Sequence, residues 1–436
     1  MHKLIIVSFD AMIADDLDTL VKYPTFRDMM ENGCRVQHLQ SIYPSLTYPC
    51  HVTMATGCYP DKTGVYSNEK RIVGVKSIPW NFDHCIVKTD DIMDAAKHGG
   101  LTTASVGWPV SGNHKSVDYL LDEAWPEGRD KSSSAFRKAY LDTGTPAELF
   151  DEIVAPKLWM RVKRAQPDSS YFLSRISCDI IRRYQPDLLM MHVGNPDHER
   201  HVHGVHSKAA ADCLIEAETI MHSLMIAAKE AGVYEQTNFV ATSDHGQLDT
   251  VRAVRPNVLL AKNGFIRLNA DGSVKDWDAW CYPIGLSAQI VLRDLADSEL
   301  RERVGNMLNH YCNEGVWGFS RVYTAEEAVR EHLAGDFSFV LETDGYSSFD
   351  VGWTGPYTSN HPMDECGNCR RGSHGHHPDK GPSPVFIGFG PAFKAGAVLS
   401  NANLVDGAPT YAKILGVSLP DADGHPLEEL LDLNCH

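Results

Sequence analysis

Three short, nearly unbroken apolar runs, each followed within a few residues by an aspartate, constrain the fold of this 436-residue chain most strongly. They read KLIIVSFD up to Asp10, DLLMMHVGNPD up to Asp197 and TNFVATSD up to Asp244. Apolar runs without alternation are typical of parallel strands that are buried on both faces. In an α/β protein, functional side chains lie at the carboxyl ends of such strands. The runs therefore predict a parallel sheet with an acidic site at one edge.

Helical segments alternate with these runs. A short helix is predicted in YPTFRDMMENG, which ends at Gly33, and further helices are predicted at 90–98, 168–184 and 207–231. A last strand, SPVFIGFG, is predicted at 383–390. This order predicts the α/β class, with a mostly parallel central sheet that carries helices on both faces.

The character of the chain changes between about 255 and 360. Aromatic and charged residues mix there, as in DWDAWCYP, with short alternating strands such as SAQIVLRD and a predicted amphipathic helix at 298–314. We expect an inserted α+β subdomain at 255–360, so that 1–254 and 361–436 together form the core. Residues 107–165 mix turns, charges and aromatics and are predicted to form a lid-like excursion within that core.

Composition limits the partners. The net charge of −17 disfavours nucleic-acid polymers and anionic membranes, although bound divalent metals would still allow an anionic substrate. No stretch approaches the roughly 18 apolar residues of a membrane span, and the six-residue run Leu4–Phe9 is too short for a signal-peptide core. We therefore expect a cytoplasmic monomer or homodimer. Most of the 11 cysteines are expected to be reduced; the pair Cys366 and Cys369 is left open between half a zinc site and a local disulfide.

Side chains that bind divalent metals follow the predicted strands. Carboxylates and imidazoles are ligands for zinc and similar cations, and two adjacent cations can hold both the attacking and the leaving oxygen of a displacement at phosphorus. Three carboxylates, three imidazoles and one hydroxyl form the predicted two-metal site: Asp10, Thr47, Asp197, His201, Asp244, His245 and His374.

The spacing within these motifs supports the choice. Asp197 and His201 are four residues apart, which places them on one side of a helical turn. Asp244 and His245 are adjacent in S-D-H-G, where Gly246 would allow the chain to bend. The neighbouring imidazoles His198, His203 and His206 are interpreted as solvated surface.

His374 is chosen over His376 and His377 because glycines frame it in G-S-H-G. Each motif taken alone has an ordinary structural alternative, such as a helix cap at Asp10.

Thr47 is the candidate nucleophile. It lies between Pro44 and Pro49, just before a predicted helix at 50–56, and so near a helix N-terminus that favours anions. A hydroxyl becomes nucleophilic once a metal lowers its pKa. Its alternative role is a plain helix cap.

These motifs, in this order, resemble the alkaline phosphatase superfamily and, within it, the nucleotide pyrophosphatase/phosphodiesterase family. IIVSFDA is similar to the first strand of the family, PSLTYPCHVTMATGCYPDKTGVYSN to its nucleophile segment, and NPDHERH, TSDHG and GSHG to its three later ligand motifs. The stretch ASVGWPVSG resembles a W-P-G-S motif, although Val110 replaces its first small residue. The resemblance covers most of the chain and implies an alkaline phosphatase-like core.

The resemblance also implies roles. Asp10, Thr47, Asp244 and His245 would hold one cation, and Asp197, His201 and His374 the other, with zinc expected at both. Thr47 would form a covalent phosphothreonine-type intermediate. Asn68 and the backbone amide of Tyr48 would donate to a phosphoryl oxygen, and the Tyr48 ring would contact the substrate or close the pocket wall.

The implied activity is hydrolysis of phosphodiester or pyrophosphate bonds in a small phosphodiester or nucleotide. The alternative is a phosphomonoesterase or phosphonate hydrolase that uses the same site, for which Lys115, Arg129 or Arg137 would have to reach the phosphate. A non-catalytic binding protein would have lost a ligand, and a mutase would be expected to carry Ser at position 47. A sulfatase is excluded because it needs a Cys or Ser in a different context.

Overall fold

The computed structural model describes residues 2–75, 79–126, 131–161, 168–360 and 370–433. The strands are β1 (Lys3–Phe9), β2 (Cys34–Gln40), β3 (Thr103–Val106), β4 (Tyr119–Leu121), β5 (Leu188–Val193), β6 (Thr237–Thr242), β7 (Leu248–Asp249), β8 (Arg252–Val254), β9 (Ile266–Leu268), β10 (Val274–Trp277), β11 (Ala279–Ile284), β12 (Ser287–Leu292), β13 (Phe319–Thr324), β14 (Phe339–Thr343), β15 (Ser347–Phe349), β16 (Thr358–Asn360), β17 (Gly372–Ser373), β18 (Phe386–Phe389) and β19 (Val398–Asn403).

The α-helices are α1 (Leu17–Leu20), α2 (Pro24–Asn32), α3 (Thr47–Thr56), α4 (Pro60–Thr63), α5 (Ile92–His98), α6 (Ser133–Asp142), α7 (Ala147–Leu149), α8 (Asp168–Tyr184), α9 (Asp197–His203), α10 (Lys208–Asp212), α11 (Leu214–Glu230), α12 (Pro256–Lys262), α13 (Ser298–Glu314), α14 (Ala325–Arg330) and α15 (Gly407–Leu415). A π-helical segment, Phe150–Val154, and a 3-10 segment, Ala155–Arg161, extend α7.

The eight-stranded central sheet has the order β19-β2-β18-β6-β1-β5-β3-β4. Strand β18 runs antiparallel to both of its neighbours, and the other described pairings are parallel. The predicted runs form β1, β5 and β6 at the centre, where neither face meets water. The predicted α/β class with a mostly parallel sheet is confirmed.

Alternate side chains of the central strands feed two separate cores, since successive residues point to opposite faces. In β1, Ile5 and Val7 belong to one core with α2, α8 and α11. Leu4 and Ile6 belong to the other core with α3, α5 and α15. The sheet is therefore covered by helices on both sides, which explains why its strands lack alternation.

Residues 255–360 contain a second, four-stranded antiparallel sheet of order β11-β12-β14-β13. Helix α13 packs on it through Val304 and Leu308, within a hydrophobic cluster of its own. Strand β8, just before this region, pairs with β15 and β16 inside it. The division of the chain into a core and an inserted subdomain stays a prediction.

Three sequence predictions need comment. The long helix predicted at 207–231 is two helices, because Cys213 ends α10 and precedes α11. No glycine or proline marks this break, and the spacing of apolar residues continues across it. The sequence therefore predicted a single helix. The excursion 107–165 contributes β4 to the edge of the central sheet. The pair Cys366 and Cys369 lies outside the described residues.

Candidate active site

The candidate ligands converge at the carboxyl edge of the central sheet. Asp10 directly follows β1, Asp197 opens α9 after β5, and Asp244 follows β6 by two residues. Asp10, Asp197 and His374 border a cleft of about 1760 Å³, part of whose wall is the segment 348–352, whereas Asp244 is fully buried. Gathering three carboxylates at one point of a buried edge requires a positive partner.

Each carboxylate is anchored by one hydrogen bond. Asp10 Oδ2 accepts from His192 Nε2 at 3.1 Å, and Asp244 Oδ1 accepts from the Ala11 amide at 3.1 Å. The side-chain amide of Gln247 donates to Asp197 Oδ1. The second oxygens of Asp10 and Asp244, Oδ1 and Oδ2 respectively, are buried and accept no hydrogen bond from a described residue. Such oxygens are available to a cation.

Two of the imidazoles are held in the tautomer that binds metals. His201 Nδ1 donates to the Gly372 carbonyl at 2.7 Å, and His374 Nδ1 donates to the Ser45 carbonyl at 3.2 Å. The two Nε2 atoms then face Asp197 Oδ1, at 3.3 and 3.7 Å. A backbone carbonyl on the second nitrogen is the usual support of a metal-binding histidine.

His245 lies between the two sets of ligands. Its Nε2 is 3.6 Å from Asp10 Oδ1, 3.1 Å from Asp244 Oδ2 and 3.3 Å from Thr47 Oγ1. Its ring stacks on that of His374, with 3.9 Å between centroids.

Two groups of side chains could hold a cation here, with ligand atoms that lie within 4.8 Å of one another: Asp10, Asp244 and His245, and Asp197, His245 and His374. His201 adjoins the second group.

The electrostatics of the site fit divalent cations. Burial and the nearby carboxylates of Asp244 and Asp197 raise the pKa of Asp10 well above its usual range, and burial raises that of Asp244. Burial also lowers the pKa of His374 to about 4, so its imidazole is neutral. A bound dication would stabilise closely spaced carboxylates beside neutral imidazoles, because it supplies positive charge at the ligand atoms.

Thr47 opens α3, three residues earlier than predicted, and Pro49 is tolerated because it lies in the first turn. Asn68 lies beside it: its Oδ1 accepts the Tyr48 amide at 2.8 Å. The Tyr48 amide is therefore engaged with Asn68 in this structure, and its expected contact with a phosphoryl oxygen stays a prediction. The Asn68 amide nitrogen, which has no partner in the described part of the chain, borders the cleft instead.

The Tyr48 side chain closes the cleft beside Thr47. Its hydroxyl donates to Glu123 Oε2 at 2.7 Å, and its ring meets Trp80 edge-on at 5.2 Å between centroids. Trp80 is 42% exposed and, with Phe82, gives the cleft an apolar rim.

Glycine has two different roles around the ligands. Gly375 has φ +94°, and a Cβ there would lie 2.1 Å from the Ile284 carbonyl oxygen, so only glycine fits behind His374. Gly246 does not have a positive φ. A Cβ at Gly246 would instead lie 2.2 Å from the Pro382 carbonyl oxygen, so close approach rather than a bend requires it.

The structure separates the three histidines of the last motif. His374 faces the other ligands, whereas His377 Nε2 lies 3.3 Å from Glu331. His376 is buried, and burial lowers its pKa to about 3. Neither of these two belongs to the groups that could hold a metal.

Sequence reasoning missed several groups. His192, Glu123 and Gln247 contact ligands or the pocket wall. The signal for His192 was a single imidazole in an otherwise apolar strand; the other two had none. Glu123 lies two residues after β4, the strand that the excursion 107–165 contributes to the central sheet.

The basic residues that border the cleft were also missed; they are Lys70, Arg71, Lys138, Arg161, Arg255 and Arg370. Lys115 and Arg137 do not border it, and Arg137 pairs with Asp151 at 2.8 Å. Arg129 lies outside the described residues.

A second group of histidines and aspartates lies at the start of α5 and comprises His84, Asp91, Asp94 and His114. Asp91 Oδ1 accepts two amides of the first turn of α5, and Oδ2 accepts His114 Nε2 at 3.1 Å. Asp94 accepts the Ser116 hydroxyl at 2.6 Å. The His114 Nδ1 atom accepts the Ser116 amide at 3.1 Å, which puts the ring proton on Nε2. This is the hydrogen-bond pattern of a helix cap.

In the described part of the chain, no helix has the length and apolar character needed to cross a bilayer.

Comparisons with known proteins agree with the geometry. The model of the type I phosphodiesterase / nucleotide pyrophosphatase family matches residues 4–362. Ectonucleotide pyrophosphatase/phosphodiesterase family member 1 of Rattus norvegicus is 20% identical over 420 residues, covering 92% of this chain and 39% of the relative. Family member 7 of Mus musculus is 24% identical over 254 residues, 56% of this chain and 50% of that protein. The chain thus spans half or less of the length of these relatives.

The murine ectonucleotide pyrophosphatase/phosphodiesterase 5 structure aligns over 99% of this chain and 100% of its own, with a TM-score of 0.66 and 18% identity. An inactive form of that protein in complex with AMP aligns equally well, at 17% identity. These structures share the fold.

Proposed function

Because this chain belongs to the type I phosphodiesterase / nucleotide pyrophosphatase family, we propose that it is a two-metal hydrolase of phosphodiester or pyrophosphate bonds in small molecules. The observation that carries the proposal is the Thr47 hydroxyl, 3.3 Å from His245 Nε2, beside two sets of buried carboxylates and imidazoles. The curated relatives carry nucleotide pyrophosphatase/phosphodiesterase in their names, which supports the same class of substrate.

The metals would be zinc, as the mixture of imidazole and carboxylate ligands favours. Asp10, Thr47, Asp244 and His245 would hold one ion, and Asp197, His201 and His374 the other. Bound there, the ions would lower the pKa of the Thr47 hydroxyl and offset charge on the phosphoryl oxygens.

Thr47 would act as the nucleophile. Its Oγ1 attacks phosphorus in line and forms a P–O bond as the bond to the leaving group breaks, and the hydroxyl proton of Thr47 passes to the released alkoxide or phosphate. Water then attacks the phosphothreonine ester, its hydroxyl goes to phosphorus, and its proton returns Thr47 to a free hydroxyl. The N-terminal position of Thr47 in α3 favours the anion at both stages.

Asn68 would stabilise the transition state. The Tyr48 amide occupies its Oδ1, which turns its amide nitrogen toward the cleft. A fixed donor that meets a phosphoryl oxygen where charge develops lowers the barrier without reorganisation. Tyr48, Trp80 and Phe82 would contact the organic group of the substrate.

Hydrolysis of a phosphomonoester or phosphonate remains the second candidate. One observation favours it: Arg370 borders the cleft and lies close enough to His374 to contribute to lowering the pKa of that imidazole. A guanidinium in this position suits the second charge of a monoester.

A paired assay on zinc-loaded protein tests the proposal. It compares kcat/KM for bis-p-nitrophenyl phosphate and thymidine 5′-monophosphate p-nitrophenyl ester with kcat/KM for p-nitrophenyl phosphate. Preference for the diesters supports the proposal, and preference for the monoester promotes the second candidate. A cytoplasmic location and a monomeric or dimeric state stay predictions, to be measured by fractionation and light scattering.

A further inference from the structure

His192 is a buried imidazole in the otherwise apolar strand β5. Both of its ring nitrogens face carboxylates: Nε2 is 3.1 Å from Asp10 Oδ2, and Nδ1 is 3.7 Å from Glu123 Oε1. The edge of the ring also meets His51 at 4.5 Å between centroids. A polar ring is costly inside an apolar strand unless its nitrogens are paired, so these contacts fix its orientation.

Glu123 continues the chain of contacts to the substrate side. Its other oxygen, Oε2, accepts the Tyr48 hydroxyl at 2.7 Å. Tyr48 follows the candidate nucleophile, and its amide holds Asn68 at 2.8 Å. One continuous line of polar contacts therefore runs from Asp10 through His192 and Glu123 to Tyr48.

These contacts determine which oxygen of Asp10 is available to a metal ion. Oδ2 is engaged with His192, and Oδ1 is the buried atom that lies 3.6 Å from His245 Nε2. Without His192, the Asp10 carboxylate could rotate and present either oxygen. Side chains that orient a metal ligand in this way contribute substantially to metal affinity.

We propose that His192 and Glu123 are positioning residues, which aim Asp10 Oδ1 at the metal site and brace Tyr48 against the substrate. The role in bracing Tyr48 rests on the proposed function, but the role in orienting Asp10 can be measured as metal affinity, without turnover. Metal binding and substrate binding would then be coupled through one chain of contacts.

The experiment measures Zn²⁺ affinity of the full-length protein by competition with a chromophoric chelator. His192→Leu removes the contact to Asp10 and should weaken Zn²⁺ binding about 10- to 100-fold. His192→Gln keeps one donor and should recover part of this loss. Glu123→Gln keeps the shape of the side chain but removes one of the two carboxylates that His192 contacts. It should therefore weaken Zn²⁺ binding less than His192→Leu does. It should also raise KM, because the carboxylate that accepts the Tyr48 hydroxyl is lost.

His222→Gln is the matched control, because His222 is exposed on α11 and does not line the cleft. It should leave Zn²⁺ affinity and both kinetic constants unchanged. Thermal melting of each apo variant reports folding. If His192→Leu fails to fold, Glu123→Gln, whose side chain is 29% exposed in the native protein, decides alone.

The double variant His192→Leu/Glu123→Gln tests the coupling. Its loss of Zn²⁺ affinity should be smaller than the product of the single losses, since both act through the same contact. Wild-type affinity in the folded single variants, or independent effects in the double variant, overturns the inference. The proposed function fails on a different result, namely no hydrolysis of diesters or monoesters by the zinc-loaded wild type.

Discussion

The candidate active site and the cluster at the start of α5 contain the same two kinds of side chain, aspartate and histidine, yet differ in their hydrogen bonds. At the active site, Asp10 and Asp244 each leave one buried oxygen without a partner among the described residues, and His374 Nε2 lies 3.7 Å from Asp197 Oδ1, beyond hydrogen-bonding distance. In the α5 cluster, both oxygens of Asp91 accept hydrogen bonds, and His114 uses both ring nitrogens. Proximity alone does not make a metal site; unused acceptor atoms are also needed.

The largest effect is expected from a variant that removes catalysis but keeps metal binding. Thr47→Ala should reduce turnover of bis-p-nitrophenyl phosphate to the background rate, because no other hydroxyl replaces the nucleophile, while Zn²⁺ stays bound. The measurement pairs kinetics with metal analysis of the same sample. Near-normal turnover would remove Thr47 from its assigned role.

The next effect compares the two clusters directly. His374→Ala should reduce the Zn²⁺ stoichiometry from two to one, since it removes a free Nε2, and His84→Ala should leave it at two. Metal content after gel filtration is the readout. His376→Ala, a buried neighbour outside the ligand groups, is the matched control. Loss of zinc from His84→Ala would contradict the distinction drawn between the clusters.

Asn68→Ala should lower kcat by roughly 10²–10³-fold, the usual loss when one preorganised donor to a developing charge is removed. The Tyr48 amide then loses its acceptor and becomes free to face the substrate, which would soften the effect. The ratio of kcat to that of the wild type, with zinc content unchanged, measures it. A decrease in kcat of less than about threefold would show that Asn68 does not stabilise the transition state.

The smallest effect concerns the α5 cluster. Asp91→Ala should lower the free energy of unfolding by roughly 0.5–2 kcal/mol, the usual cost of an N-cap, without changing Zn²⁺ stoichiometry. Burial by itself would raise the pKa of Asp91, but the His114 charge and hydrogen bonds outweigh it, and the pKa is lowered. The carboxylate thus contributes stability above its unfolded pKa of about 3.9, and the contribution is lost as pH falls through the lower, folded value.

Urea unfolding at neutral pH and near pH 3 measures this difference. The gap between wild type and Asp91→Ala should shrink in acid. A gap that stays constant would show that the carboxylate contributes through packing and not through its charge.

Much of the fold was readable from the chain. The bounds of α8 and α13 match those predicted, and β1, β5 and β6 were recognised, because continuous burial leaves an apolar signature. The break at Cys213 was missed, since it has no turn residue. The antiparallel pairing of β18 was equally invisible, because an apolar run does not reveal strand direction.

The candidate site was likewise only partly predictable from the sequence. The seven predicted side chains lie together at one edge of the sheet, and their assignment as ligands and nucleophile stays a prediction. His192 and Glu123 were missed because neither lies in a recognisable motif, and the single imidazole of β5 was interpreted only as part of an apolar strand. The pairings of β5 with β1, of β3 with β5 and of β4 with β3 bring His192 to Asp10 and Glu123 to His192.

The sequence by itself determined the central strands β1, β5 and β6 and which aspartates follow them, because strands that are buried on both faces leave unbroken apolar runs. Tertiary structure alone decided that His374 Nδ1 donates to the Ser45 carbonyl, which oxygen of Asp10 and of Asp244 lacks a partner among the described residues, and that the Tyr48 amide holds Asn68. These properties depend on contacts between segments far apart in the chain, such as Ser45 with His374 across 329 positions, which no local pattern records.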